Sequence, residues 1–184
     1  MNISLINEEL SITTARLQFT LMTESDRALF TMLQADEQLM QYIGSVLRAE
    51  QLEEKFQQRV KPWQGEENHW LTGIVRETST NDFIGSIGFR FTDIAAQQVE
   101  IGYVMRPNYQ GKGYTQEIAL ALLDYLFKQI NVTKIVAHCA ADNIPSWKIM
   151  EKLGMKREGY FEKHSKINNQ WFDELAYGMI NPDA

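Results

Sequence analysis

The sequence predicts an α/β domain built on a mixed, mostly antiparallel sheet with one parallel β-α-β unit. Three observations carry that expectation. Segments of strand-like alternation interleave with segments whose apolar residues recur at helical spacing. A long helical pattern stands between two β-rich runs, and a helix in that position is the crossover that brings two strands side by side in parallel. The length of 184 residues, with 44% hydrophobic and 23% charged residues, suits one core spanning 1–184 as a single domain.

The elements follow in order. Arg16 to Leu21 alternates polar and apolar residues, the mark of a half-buried strand, and Thr23 with Asp26 forms a capping box that starts a helix through Phe30 and Leu33. Leu52, Phe56 and Val60 define a second helix that stops at Pro62. Trp70 to Val75 and Phe83 to Phe91 are β-rich runs joined by the turn formers Thr78 to Asp82, and Val99 to Met105 is a third run. A loop over Arg106 to Gly113 precedes one long helix, Tyr114 to Ile130, with Ile118, Leu122 and Leu126 on one face. Lys134 to Ala140 is the strand that returns beside Val99 to Met105. Asn143 as N-cap, Pro145 in the first turn and Gly154 just past the end bound a short helix. Lys156 to Ile167 and Trp171 to Met179 close the chain as a hairpin turning at Asn168 and Asn169. The predicted order is β-α-α-β-β-β-α-β-α-β-β.

Composition narrows the partners. Eighteen basic residues against 24 acidic ones leave a formal charge of −6, which opposes direct attachment to nucleic acid or an anionic membrane. An acidic surface favours a cationic substrate such as an amine, or simply keeps the protein in solution. The apolar stretch Ile118 to Phe127 is broken by Asp124 and falls short of the roughly 20 residues of a membrane span. The first residues meet Glu8 and Glu9 with no basic segment before an apolar one, so no secretion signal is expected. The single cysteine, Cys139, forms no internal disulfide, and a cytoplasmic location fits. His69, His138 and His164 lack metal-ligand spacing, so no metal is expected. Trp63, Trp70 and Trp171 read as core or rim aromatics.

Chemistry concentrates in Gln110-Gly111-Lys112-Gly113-Tyr114-Thr115, where a strand gives way to a helix. Successive N–H groups and the positive helix end converge there on an anion, and the glycines allow close approach; a plain tight turn before a helix is the other reading. Neither a Walker A loop nor a dinucleotide fingerprint is present. Together with Val99 to Pro107, Asn143 and Ser146, and Glu151 to Met155, this segment resembles the GCN5-related N-acetyltransferase (GNAT) superfamily, and more narrowly its ribosomal-protein (RimJ/RimL-type) branch. The likeness runs from about Thr14 to Met179.

The resemblance implies a GNAT fold with splayed strands and an acetyl-CoA-dependent enzyme acting on a primary amine by direct attack. It implies that the pantetheine arm pairs with backbone groups near Tyr103, Val104 and Met105, that pyrophosphate sits on Gln110, Gly111, Lys112, Gly113, Tyr114 and Thr115, and that Asn143 touches the arm. Thr115 departs from the small residue usual there and is expected to crowd the loop. A backbone N–H close to Val104 is the implied oxyanion donor. Glu100 matches a carboxylate near the amine and is the candidate base, or else an outward-facing strand residue. Relatives carry an acidic tyrosine where this chain has Met150, so Ser146 is put forward as partner of the leaving thiolate, or as a residue bonding the first helical turn. Cys139 is expected to be a buried core thiol, with His138 on the opposite strand face. The acceptor is the N-terminal α-amine of a ribosomal or other protein, or a polyamine, amino acid or aminoglycoside; a CoA-binding module without turnover is the third reading. The acceptor groove is expected around Met40 to Tyr42, Trp63 and Asn168 to Trp171, in a monomer or homodimer.

Overall fold

The computed structural model describes residues 1–6 and 10–183. Eight strands form one sheet in the order β1-β2-β3-β4-β5-β6-β8-β7, with β1 Ser11–Thr13, β2 Leu17–Leu21, β3 Leu71–Glu77, β4 Phe83–Asp93, β5 Gln98–Met105, β6 Lys134–Ala140, β7 Lys156–Ile167 and β8 Gln170–Ile180. Every neighbouring pair is antiparallel except β5 and β6, which run parallel as the crossover helix demands. β1 escaped the sequence pattern because three residues carry too little alternation to read.

The helices are α1 Arg27–Gln34, α2 Glu37–Met40, α3 Ala49–Val60, α4 Tyr114–Asp124 and α5 Ile144–Lys152. Three helices, not two, therefore precede β3; α2 is a single turn started by Asp36, whose carboxylate accepts from the Leu39 N–H. The Thr23–Asp26 capping box is present, although a 3-10 turn over Glu24–Asp26 comes before α1. The long helix ends differently from its predicted single span. After Asp124 it widens into a π-helical stretch, Tyr125–Ile130, that buries Tyr125, Leu126, Phe127 and Ile130, and Asn131 stops it at φ 62°. A widened turn brings successive apolar residues inward where the ordinary helical period would expose one of them.

α4 and α5 cover one sheet face, where Ile118, Leu122 and Leu126 meet Val99, Ile101 and Phe89 in the main core. α1 and α3 cover the other through Phe30, Leu33 and Phe56 against Ile74. Gly154, at φ 86°, ends α5: its N–H reaches the Glu151 carbonyl at 3.0 Å and the Met155 N–H reaches that of Met150 at 3.0 Å, satisfying two orphan carbonyls. Asn168 and Asn169 both have positive φ, as a two-residue hairpin turn needs, and join Ile167 to Gln170.

Candidate active site

The site begins where β5 and β6 part. They pair only from Gln98, Val99 and Glu100 to Lys134, Ile135 and Val136, and beyond that point each strand continues without the other. The direction of each β5 peptide follows from its neighbours. The Gln97 carbonyl accepts from Thr133 N–H at 3.0 Å, on the β6 side, whereas Arg106 N–H donates to Ile84 on the β4 side at 2.9 Å. Alternation along the strand then turns the Tyr103 and Met105 N–H groups into the gap and Val104 toward β4. The N–H groups close to Val104 that face the gap are those of its two neighbours, because a strand residue presents its peptide groups to one edge only. The Met105 carbonyl on the same edge is held by the Gln110 side chain at 2.9 Å.

At one end of the gap lies the glycine loop. Gly111 and Gly113 have φ of 75° and 80°, a conformation that favours glycine, and Gly113 is the N-cap of α4 with no side chain bonded to the helix end. The first intrahelical bond is Glu117 N–H to Gly113 carbonyl, 3.0 Å, so the N–H groups of Tyr114, Thr115 and Gln116 have no helical partner. Such a cradle fits a pyrophosphate. Thr115, in the first turn of α4, is buried. The Tyr114 ring is also buried, and its hydroxyl donates to Glu77 away from the gap. Glu117, an anion in the first turn, is neutralised by Arg16 at 2.7 Å, and Arg16 also donates to the Lys112 carbonyl. Arg16 adds a cation beside the loop that the sequence did not flag, since it comes from a strand start 96 residues away.

On the α5 face of the gap, the Tyr103 hydroxyl donates to the Ser146 carbonyl at 2.9 Å and lies 3.4 Å from the Ser146 hydroxyl. Burial pushes the Tyr103 phenol upward, opposed by the Ser146 hydrogen bond, and so keeps it protonated. Asn143, Met150 and Cys139 line the same cleft. Asn143 stands at the N-cap of α5, but its side chain makes no cap bond and is left for another partner. Cys139 is half-buried rather than a core thiol, and burial pushes its pKa up to about 11, with Ser146 opposing. A protonated thiol of that kind is a poor nucleophile.

The opposite face holds the groups that handle charge. Glu100, buried, accepts from Arg90 at 2.8 Å and faces His138 Nδ1 at 3.4 Å. Burial pushes the Glu100 carboxyl up, but the hydrogen bonds and charges of His138 and Arg90 outweigh it and leave the pKa lowered. Glu100 in turn raises the His138 imidazole against the opposing effect of burial. The cleft, about 560 Å³ in all, continues to this side, where it is walled by Phe30 and Leu33 of α1, the Tyr42–Gly44 loop, Trp70, and Ser165–Ile167 of β7. Of the residues expected around the acceptor, Tyr42 lines this cleft, whereas Trp63 stacks on Phe91 at 5.1 Å and Trp171 is exposed on the hairpin, both outside its lining. Among the described residues, no group of three or more His, Cys, Asp or Glu is placed to hold a metal.

Residues 16–156 match the family model for the acetyltransferase (GNAT) domain. The chain is 36% identical over 149 residues to the N-acetyltransferase YnaD of Bacillus subtilis (strain 168), covering 81% of this chain and 84% of that one. It is 29% identical over 83 residues to the ribosomal protein uS5-alanine N-acetyltransferase of Escherichia coli (strain K12), covering 45% and 43% of the two chains. A solved GNAT-family acetyltransferase from Bacillus anthracis superposes with a TM-score of 0.80 at 32% identity, covering 94% of this chain and 99% of that one. The parted strands, the uncapped glycine turn and the family match meet in one statement: this chain belongs to the GNAT family, whose members are acetyl-CoA-dependent N-acyltransferases.

Proposed function

We propose that the protein, as one domain spanning residues 1–184 in the cytoplasm, transfers acetyl from acetyl-CoA to the primary amine of a compact acceptor. The observation that carries this reading is the placement of Tyr103 and Ser146 on one side of the β5–β6 gap and the Glu100–His138 pair on the other. When bound, acetyl-CoA supplies an activated thioester. In this reading the N–H groups of Tyr114 to Gln116 receive its pyrophosphate, with Gln110 shaping the loop through Met105. Gly111 and Lys112 present backbone to the same anion, and Asn143 meets the arm.

The Tyr103 and Met105 N–H groups face the gap and suit a carbonyl oxygen that gains negative charge. The Ser146 hydroxyl suits the departing sulfur, the role that Met150 cannot fill, and the Tyr103 hydroxyl joins it by turning its proton away from the Ser146 carbonyl. On the far side, an acceptor amine must lose its proton. Glu100 is already engaged by the Arg90 guanidinium and its lowered pKa makes it a weak base, so His138 in its neutral form takes the proton, and Glu100 orients the ring and stabilises the imidazolium that results.

A compact amine is favoured by the residues that wall the acceptor end of the cleft, Phe30, Leu33, Tyr42 and Ser165 to Ile167. A protein N-terminal α-amine is the second reading, favoured by the similarity to the uS5-alanine enzyme. Steady-state release of free CoA with small amines and with N-terminal peptides separates the two. CoA binding without release from any amine or peptide would leave a binding module and overturn both.

A further inference from the structure

α3 sends two cations into the acceptor side of the cleft. Lys55 and Arg59, one helical turn apart, are both partly buried and both line it. Their polar partners are neutral: Lys55 Nζ donates to Gln34 Oε1 at 2.7 Å and Arg59 to the Thr72 hydroxyl at 3.3 Å. Among the described residues neither forms an ion pair, whereas Arg16, Arg27, Arg76, Arg90 and Lys134 each face a carboxylate. Arg59 also lies over Trp70, 5.2 Å from the ring centre, and Arg90 lies over the same ring at 5.1 Å.

Like charges this close, removed from water and without a counter-charge, are unfavourable. Burial and the Arg90 charge lower the Arg59 guanidinium to about 10, and burial with the Arg59 charge lowers Lys55. The carboxylates of the cleft do not relieve them. Glu100 is held by Arg90 and His138, and Glu174 stands 3.9 Å from His164. The arrangement becomes favourable once an anion enters.

We propose that the acceptor amine carries an anionic group, a carboxylate or a phosphate, and that Lys55 and Arg59 receive it. This rests on the acetyl-transfer reading above and reverses what the net charge of the chain suggests. A polyamine brings more positive charge to this wall, while an acidic amine aligns its anion with α3 and its amine with the Glu100–His138 side.

The test uses matched acceptors that differ in charge alone: aspartate and asparagine, glutamate and glutamine, O-phosphoethanolamine and ethanolamine, with spermidine as the cationic member. The anionic member of at least one pair is expected to show kcat/KM about tenfold or more above its neutral partner, and which pair responds separates carboxylate from phosphate. Lys55→Gln should bring that ratio toward one, and Arg59→Lys, which keeps the charge but loses the fork, should lower it. Acetyl transfer that is equal or faster to the neutral members or to spermidine overturns the inference and leaves acetyl transfer standing. If no acceptor is acetylated, calorimetric titration of the CoA-bound protein with N-acetylaspartate, N-acetylasparagine, N-acetylphosphoethanolamine and N-acetylethanolamine decides. Preferential binding of an anionic member weakened by Lys55→Gln upholds the subsite while the transfer reading fails, and equal or absent binding overturns the subsite.

Discussion

The Tyr103 hydroxyl on β5 reaches across to α5 and donates its proton to the Ser146 carbonyl at 2.9 Å, with the Ser146 hydroxyl 3.4 Å away. Two hydroxyls therefore meet in the cleft that Met150 also lines, where the family resemblance implies a tyrosine at position 150 in many members. Losing a hydrogen bond to a developing thiolate costs about 1.5–3 kcal/mol, or ten- to a hundredfold in rate. Tyr103→Phe and Ser146→Ala are each expected to lower kcat by that order with CoA affinity nearly intact. The double variant should lose less than the product of the two, because both act on one sulfur. Kinetics of the four enzymes check this, and full additivity would separate the two hydroxyls.

Gly113 at φ 80° ends in a helix cap with no side chain on it. Valine there meets backbone strain of about 1–2 kcal/mol in a left-handed conformation. The added Cβ finds only the Arg16 guanidinium, at 3.6 Å, so relaxation of the loop and not a clash in the core is the outcome. Gly113→Val should bind CoA at least about tenfold more weakly by calorimetry while a thermal melt stays cooperative. Unchanged affinity in a folded variant would move the phosphate site elsewhere.

His138 draws its raised pKa first from the Glu100 hydrogen bond. Glu100→Gln removes that carboxylate, so the acid limb of the kcat/KM profile should move to lower pH, toward the ordinary 6.5 of an imidazole. Measuring both enzymes with one acceptor keeps the titration of the amine common to both. A limb that stays in place would mean that His138 does not accept the proton.

The same pair makes stability depend on pH. His138, raised from 6.5, contributes stability that is complete below that value and is lost as pH rises through its folded pKa. Glu100, lowered from 4.5, contributes stability that is complete above that value and is lost as pH falls through its folded pKa. The Tm difference between the native protein and His138→Gln should therefore peak between 4.5 and 6.5 and shrink on either side. A difference that is flat with pH would show that the imidazole stays neutral in the fold.

Local chemistry made much of this fold legible. Asn168-Asn169 announces its own turn, Pro145 and Gly154 bracket α5, and Gly111 and Gly113 mark the loop, because each acts through its own backbone. The catalytic surroundings depend on distance in the chain and left no such trace. Tyr103 meets Ser146 across 43 residues, and Glu100 meets His138 across 38. No periodicity shows that Arg90 and Glu100 face each other across a strand pair, or that Cys139 lies at a cleft wall. Composition is silent on one point: in a chain of net negative charge, Lys55 and Arg59 both line the cleft.

The parting of β5 and β6 gives this protein a raw sheet edge in its middle instead of at its rim. Within the sheet, strands β1 to β5 and β6 to β8 are stitched by three residue pairs, with the crossing helix and the shared core holding the two halves together. A slender amide-bearing chain lying in that seam would close it as an added strand would, and occupancy would act as a brace. At a hundred times its dissociation constant such a ligand adds about 2.7 kcal/mol to the folded state. Resistance to proteolysis, and with it the lifetime of the protein in the cell, should then rise and fall with the supply of the same molecule that feeds the reaction.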